Sequence, residues 1–278
     1  MTHSRGRGDA LAMAQECRDL TRDVMQGCSN RRGELRRERY LLLVTLWMLF
    51  AKACDTFDAV RELCSKRWGH EALILLRVLL ETTAIAKFIL KHSVTGLYLY
   101  LEGMKAFNDR WLQWVGFDVE RGVTLEAKLP EAIAAVEREN SGLAELLSGV
   151  LGEPPRSDKL AWNKRGKRKR WGPETKIEDV FREADMEHWY ETVYRLAAFW
   201  SHAHVGINKD YLKADDSTDN VTAVVGPKAK WAGAALQWAC QVLLMHLETV
   251  SDAFGLDEEA RITVAKKRLA FVEWDLER

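Results

Sequence analysis

The chain has 278 residues, is 47% hydrophobic and carries 41 basic against 41 acidic side chains. That length and apolar content can bury one sizeable core and exclude a disordered tail or linker. Zero net charge excludes global electrostatic steering toward nucleic acid or membrane, so any such affinity needs a local patch.

The N-terminal residues Met1 to Asp9 are rich in Arg and Gly and contain no apolar signal region. Residues 10 to 28 form a polar helix, and 1–38 is expected to be a helical N-terminal extension on a single helical domain, 1–278. The arginines of Asn30 to Arg39 alternate with Glu34 and Glu38, as in a solvated helix start. Tyr40 to Lys66 follows as a long helix. Leu43, Leu46, Trp47, Phe50, Cys54, Phe57 and Val60 recur there at helical spacing. Its apolar run, Tyr40 to Ala51, falls short of the roughly 20 residues that span a bilayer, so no membrane association is expected.

His70 to His92 is apolar almost all round and is expected to be the central, most buried helix. Leu97 to Val115 is an aromatic-rich third helix. Leu125 to Leu151 reads as one or two amphipathic helices with a break at Ser141-Gly142. Gly152-Glu-Pro-Pro155 punctuates the chain before a basic loop, 152–174. Thr175 to Glu183 is a short helix, and Asp185 suits the N-cap of a helix from 186 to about 204. Residues 206 to 227 are turn-rich, with Val221 to Val225 as the best strand candidate and a small β-hairpin expected near 210–226. Lys228 to Phe254 is a long helix with Gly255 at C′. Asp257 then caps a final helix to about 276. The whole is an all-α, multi-helix bundle of about seven to nine helices.

The five cysteines, Cys17, Cys28, Cys54, Cys64 and Cys240, have no C-x-x-C spacing. They read as reduced thiols of a cytoplasmic protein, with Cys54 and Cys64 as small core residues. No metal-ligand motif, Gly-rich phosphate loop or cofactor signature occurs. His202 and His204 point about 160° apart on a helix, too far round to share a metal.

Arg77 and Glu81 lie about 40° apart on one helix face, among apolar neighbours. A cation there needs a partner, because burying it alone costs several kcal/mol. The pair is either a structural ion pair that sets helix register or part of a polar pocket that orients a catalytic group.

On the helix of Arg195, the residues Trp189, Val193, Leu196, Ala197, Trp200 and His204 form a core face. His188, Glu191, Arg195 and His202 share the opposite face within roughly 40°. Arg195 and His202 therefore combine a phosphate-binding cation with a group that titrates near neutrality. Such a pair suits metal-independent RNA cleavage. The alternatives are an exposed Glu191–Arg195 pair and a histidine that stabilises a helix C-terminus.

Arg195-Leu-Ala-Ala-Phe-Trp-Ser-His202 resembles the Arg-x4-6-His motif of ribonucleases of the HEPN superfamily, although the residue after the arginine, usually polar there, is Leu196. That resemblance implies a ribonuclease fold of HEPN type, RNA as substrate, a homodimer, and a role as a toxin or antiviral defence effector, with a partner protein encoded nearby. A second resemblance covers roughly residues 40 to 250. Gly69-His-Glu-Ala-Leu-Ile-Leu-Leu-Arg77-Val-Leu-Leu-Glu81, with the later Trp189-Tyr-Glu-Thr-Val-Tyr194-Arg-Leu-Ala-Ala-Phe-Trp-Ser201-His-Ala-His204, is similar to the bacterial domain of unknown function 5677. It implies that Arg77, Glu81, Ser201 and a following histidine form a shared polar set, with the choice between His202 and His204 open.

Lys159 to Arg170 holds seven basic residues and no acidic one. Lys164, Arg165, Lys167, Arg168, Lys169 and Arg170 can bind phosphates, and Trp162 and Trp171 can stack a base. The alternative is a solvated loop. A non-catalytic module that binds nucleic acid or protein through this loop is the second functional expectation.

Overall fold

The computed structural model describes residues 5–30, 37–120, 129–154, 176–201, 212–215, 220–223 and 229–276. The helices are α1 (Arg5–Asn30), α2 (Arg37–Ser65), α3 (Gly69–Glu120), α4 (Leu129–Glu145, extended by a π turn Leu146–Leu151) and α5 (Ile177–Glu183). Next comes α6 (187–201), whose Glu187–Trp189 and Arg195–Ser201 portions flank a π turn, Tyr190–Tyr194. A hairpin of β1 (Leu212–Asp215) and β2 (Asn220–Ala223) follows, antiparallel with Leu212 opposite Ala223. The C-terminal helices are α7 (Ala232–Phe254) and α8 (Glu259–Leu269). The all-α expectation holds, and the hairpin falls inside the predicted window.

Contacts divide the chain into two compact units. The first comprises Met1–Gly33, Leu46–Lys87 and Phe181–Arg278; the second comprises Glu34–Thr45 and Phe88–Val180.

In the first unit α1 is amphipathic. Ala10, Met13, Ala14, Cys17, Leu20 and Val24 are buried, and the helix packs on α7 and α8. The predicted stripe of α2 is buried at Leu46, Phe50, Cys54, Phe57 and Val60. By length and composition, Glu38–Ser65 could also cross a membrane, but the core helix of a folded bundle meets the same criterion. The expectation that His70 to His92 is the most enclosed helix is corrected. In α7, 15 of 23 residues are buried, whereas α3 exposes Ile74 and keeps Arg77 and Glu81 half-buried. The polar face of α3 faces the site rather than the core.

Two helix ends differ from expectation. Asp185 does not cap α6. It takes a left-handed conformation, φ 56, and closes α5. Its N–H donates to the Arg182 carbonyl, and the Met186 N–H donates to that of Phe181. This is a Schellman arrangement with buried Met186 and Phe181 at its apolar contact. Aspartate tolerates that backbone region better than most residues. The last helix stops at Leu269, not near 276, and starts from Glu258 with no side-chain cap. Residues 272–276 run without helix across the start of α7, where a Cβ at Gly233 would lie 1.7 Å from the Trp274 carbonyl oxygen. The sequence carries no turn signal for this crossing; the tight fit to Gly233 accounts for it. Gly255 does end α7 in the left-handed region, φ 63, as predicted.

The second unit contains the distal part of α3. Ser93 (φ 49, ψ −126) splits α3 into two helices, where the sequence predicts a gap between His92 and Leu97. Gly96 is needed just beyond it, since a Cβ there would approach Ile89 and the Phe88 carbonyl to 3.1 Å. The predicted break at Ser141-Gly142 is absent. α4 continues through it, with the Ser141 hydroxyl donating to the Glu137 carbonyl and buried Asn140 donating to Asp109 at 2.7 Å.

Candidate functional site

Arg77 lies two turns beyond His70 and one turn before Glu81, so all three project from one side of α3. The Arg77 Nε donates to Glu81 Oε1 at 3.1 Å. The side chains are 27% and 32% exposed, so the pair sits at the lip of the fold, reachable by a solute. The expectation of a buried cation is thus met only in part.

α6 supplies the opposite wall. Its π turn widens the helix, with the Arg195 N–H reaching back to the Tyr190 carbonyl. An inserted π turn shifts the phase of everything before it, and such turns recur at functional sites. Phe181 is fully buried and wedges against both tyrosines, with ring centroids 5.6 Å from Tyr190 and 5.1 Å from Tyr194. Held so, the Tyr194 hydroxyl donates to Glu81 Oε1 at 2.8 Å and accepts from Arg77 Nε at 3.1 Å. Two turns later Ser201 accepts from Arg77 Nη1 at 2.9 Å and donates to the Ala198 carbonyl at 2.9 Å. The guanidinium also lies over the Tyr194 ring, 5.1 Å from its centroid.

The hydrogen bonds assign the protons. Burial raises the Tyr194 hydroxyl pKa first, the Glu81 carboxylate adds to the rise, and Arg77 only partly opposes it; the result is about 12. Tyr194 therefore stays protonated and serves as a strut. Burial works to lower the Arg77 pKa, but Tyr194 and Glu81 outweigh it, so the guanidinium stays charged. Ser201 spends its proton on a backbone carbonyl and is not poised as a nucleophile. The four side chains offer a fixed cation, a carboxylate and two oriented hydroxyls.

His70 faces α6 from the first turn of α3. It is buried and stacks on Trp200, with centroids 3.8 Å apart and planes inclined by 13°. The stack ties the end of α6 to the start of α3. Arg195 faces outward, 65% exposed, and pairs with Glu191 at 2.7 Å. His188, Glu191 and Arg195 are exposed; of the predicted core face Val193 and Ala197 are buried, while Trp189, Leu196 and Trp200 are only half-buried. The structure thus brings Arg77, Glu81 and Ser201 together and leaves Arg195 on another face.

His202, His204, Trp162, Lys164, Arg165, Lys167, Arg168, Lys169, Arg170 and Trp171 lie outside the described residues. Among the described residues, no group of three His, Cys, Asp or Glu is arranged to hold a metal ion. All five cysteines are buried. Burial pushes the thiols of Cys28, Cys54 and Cys64 up to about 12, so they are poor nucleophiles.

Tyr194 is the site residue that sequence reasoning misses. A signal was present: it precedes Ser201 by seven residues, two turns on the same face. A wheel drawn with uniform α geometry through 190–194 leaves it at the edge of the core face.

The family of unknown function DUF5677 matches residues 43–220. The match spans more than half of the chain, which therefore belongs to this family, and it contains Arg77, Glu81, Tyr194 and Ser201. No curated protein and no solved structure matches the chain.

Proposed function

We propose that this member of the DUF5677 family is a metal-independent ribonuclease of HEPN-like character, centred on Arg77, Glu81, Tyr194 and Ser201, with His202 or His204 as its proton-transfer group. The supporting observation is that Arg77 is held by Glu81 of its own helix and by Tyr194 and Ser201 of α6, and that the two histidines follow Ser201 in the chain. A fixed guanidinium suits the charge that builds up on a phosphorane-like transition state. The carboxylate of Glu81 accepts from both Arg77 and Tyr194, and histidine is the residue type whose ordinary pKa suits proton transfer near neutrality.

In this reading a histidine takes the proton of a ribose 2′-hydroxyl, whose oxygen attacks the adjacent phosphorus. The bond to the 5′-oxygen breaks, and that oxygen receives a proton from a protonated acid. The products are a 2′,3′-cyclic phosphate and a 5′-hydroxyl. Arg77 neutralises the phosphoryl oxygens, while Glu81 and Tyr194 hold its plane. Arg195 paired with His202 is the rival placement of the cation. Cytoplasmic toxin or defence activity is the corresponding role.

The test is cleavage of RNA by the purified chain in EDTA, with product ends analysed. Cyclic phosphate ends, lost in Arg77→Ala and in either His202→Ala or His204→Ala but kept in Arg195→Ala, support the centre on α3. Loss in Arg195→Ala with Arg77→Ala active moves the cation to Arg195. RNA binding without cleavage, abolished by neutralising Lys164 to Arg170, overturns the ribonuclease reading in favour of a binding module.

A further inference from the structure

Glu81 has two carboxylate oxygens, and the Arg77 network uses one of them. Arg77 Nε and the Tyr194 hydroxyl both donate to Oε1, at 3.1 Å and 2.8 Å. Among the described residues no donor reaches Oε2. That oxygen is open to solvent, unlike the Oε2 of Glu71, which is enclosed without a partner, and the Glu81 side chain is 32% exposed. Two bonds to Oε1 fix the plane of the carboxylate. Oε2 is therefore an oriented acceptor with unused capacity, at the lip of the site.

The charge beside Oε2 selects what it accepts from. A cationic donor meets repulsion from the Arg77 guanidinium, and a phosphate meets repulsion from the carboxylate and goes to the arginine. A ligand that satisfies both is an anion with a neutral O–H or N–H donor a few bonds away. In RNA the 2′-hydroxyl is that donor. It stands on the carbon next to the one that carries the 3′-phosphate, in every nucleotide, and it distinguishes RNA from DNA. The N–H donors of the bases lie further from the phosphate and differ from base to base.

We infer that Glu81 Oε2 accepts a hydrogen bond from the ribose 2′-hydroxyl beside the phosphate held by Arg77, and so selects RNA over DNA at the binding step; this rests on the reading of the site as one that takes RNA. In the bound state the hydroxyl points its proton at Oε2, which keeps its oxygen next to the phosphorus. The histidine takes that proton as the oxygen attacks, and no proton ends on Glu81. Glu81 is thus a substrate contact as well as a support for Arg77.

Fluorescence anisotropy with a short labelled single strand tests it, in EDTA and on the full chain carrying His202→Ala and His204→Ala to prevent turnover. The strand is either all-ribose or all 2′-fluoro, which keeps the sugar pucker of RNA and removes the donor. The ribose strand should bind about tenfold tighter, the scale of one hydrogen bond to a charged group. Adding Glu81→Ala should bring the two strands to equal affinity. Glu81→Asp should do the same, because it keeps the charge beside Arg77 and withdraws the carboxylate by one methylene. Equal affinities before Glu81 is changed, a preference that survives both substitutions, or no binding of either strand overturns the inference. Cleavage by the wild-type chain without a preference that depends on Glu81 leaves the ribonuclease reading standing and removes this one. The preference without cleavage does the reverse.

Discussion

Tyr194 and Glu81, 113 residues apart in the chain, share a hydrogen bond of 2.8 Å, and Arg77 donates to both. The bond joins two helices through a group that stays protonated at any physiological pH. Its consequence is rigidity: the cation of the site has one orientation.

Tyr194→Phe keeps the ring against Phe181 and removes only the hydroxyl. The expected cost is about 1 kcal/mol in urea unfolding, the usual net value of one such hydrogen bond. Arg77→Ala and Tyr194→Phe should together cost less than their sum, because they break one network. Additive losses would show that the hydroxyl does not hold the guanidinium.

His246 is fully buried, with its Nδ1 3.1 Å from the Thr83 hydroxyl. That hydroxyl already donates to the Leu79 carbonyl, so Nδ1 carries the proton and the ring is neutral. Burial lowers its pKa from 6.5 to about 3. Between those values the unfolded chain binds a proton that the folded chain does not. The contribution is whole above pH 6.5 and declines by about 1.4 kcal/mol per pH unit below it, toward about 3. Urea midpoints measured down this window should fall more gently in His246→Leu than in wild type. Equal slopes would place the acid sensitivity elsewhere.

Gly233→Ala sets a methyl group against the Trp274 carbonyl. A loss of about 1–3 kcal/mol is expected, typical of overpacking against a rigid neighbour, with a shift in tryptophan fluorescence as residues 272–276 lift away. Gly142→Ala in α4, where a Cβ meets nothing within 4 Å, should instead stabilise by roughly 0.5–1 kcal/mol. A neutral Gly233→Ala would mean that the C-terminal segment yields freely.

The thiols should report on unfolding. With all five cysteines buried, a thiol reagent at mildly alkaline pH should react slowly with the native chain and stoichiometrically in denaturant. Rapid native labelling of one thiol would reveal a local opening and its location.

Helical spacing in the sequence determined the class of fold, the buried stripe of α2, the gap after His92, the hairpin window and the Gly255 stop, because periodicity and left-handed glycine are local properties. It also placed Arg77 beside Glu81, since residues four apart on a helix share a face. Tertiary structure decided the rest. Whether Asp185 starts one helix or ends another depends on Met186 burying beside Phe181. Where α8 ends depends on a carbonyl crossing Gly233. Which arginine stands in a network depends on the π turn and on Phe181, which carry Tyr194 to Glu81 while Arg195 stays with Glu191 at the surface. Those outcomes rest on contacts between residues remote in the chain, and local spacing carries no record of them.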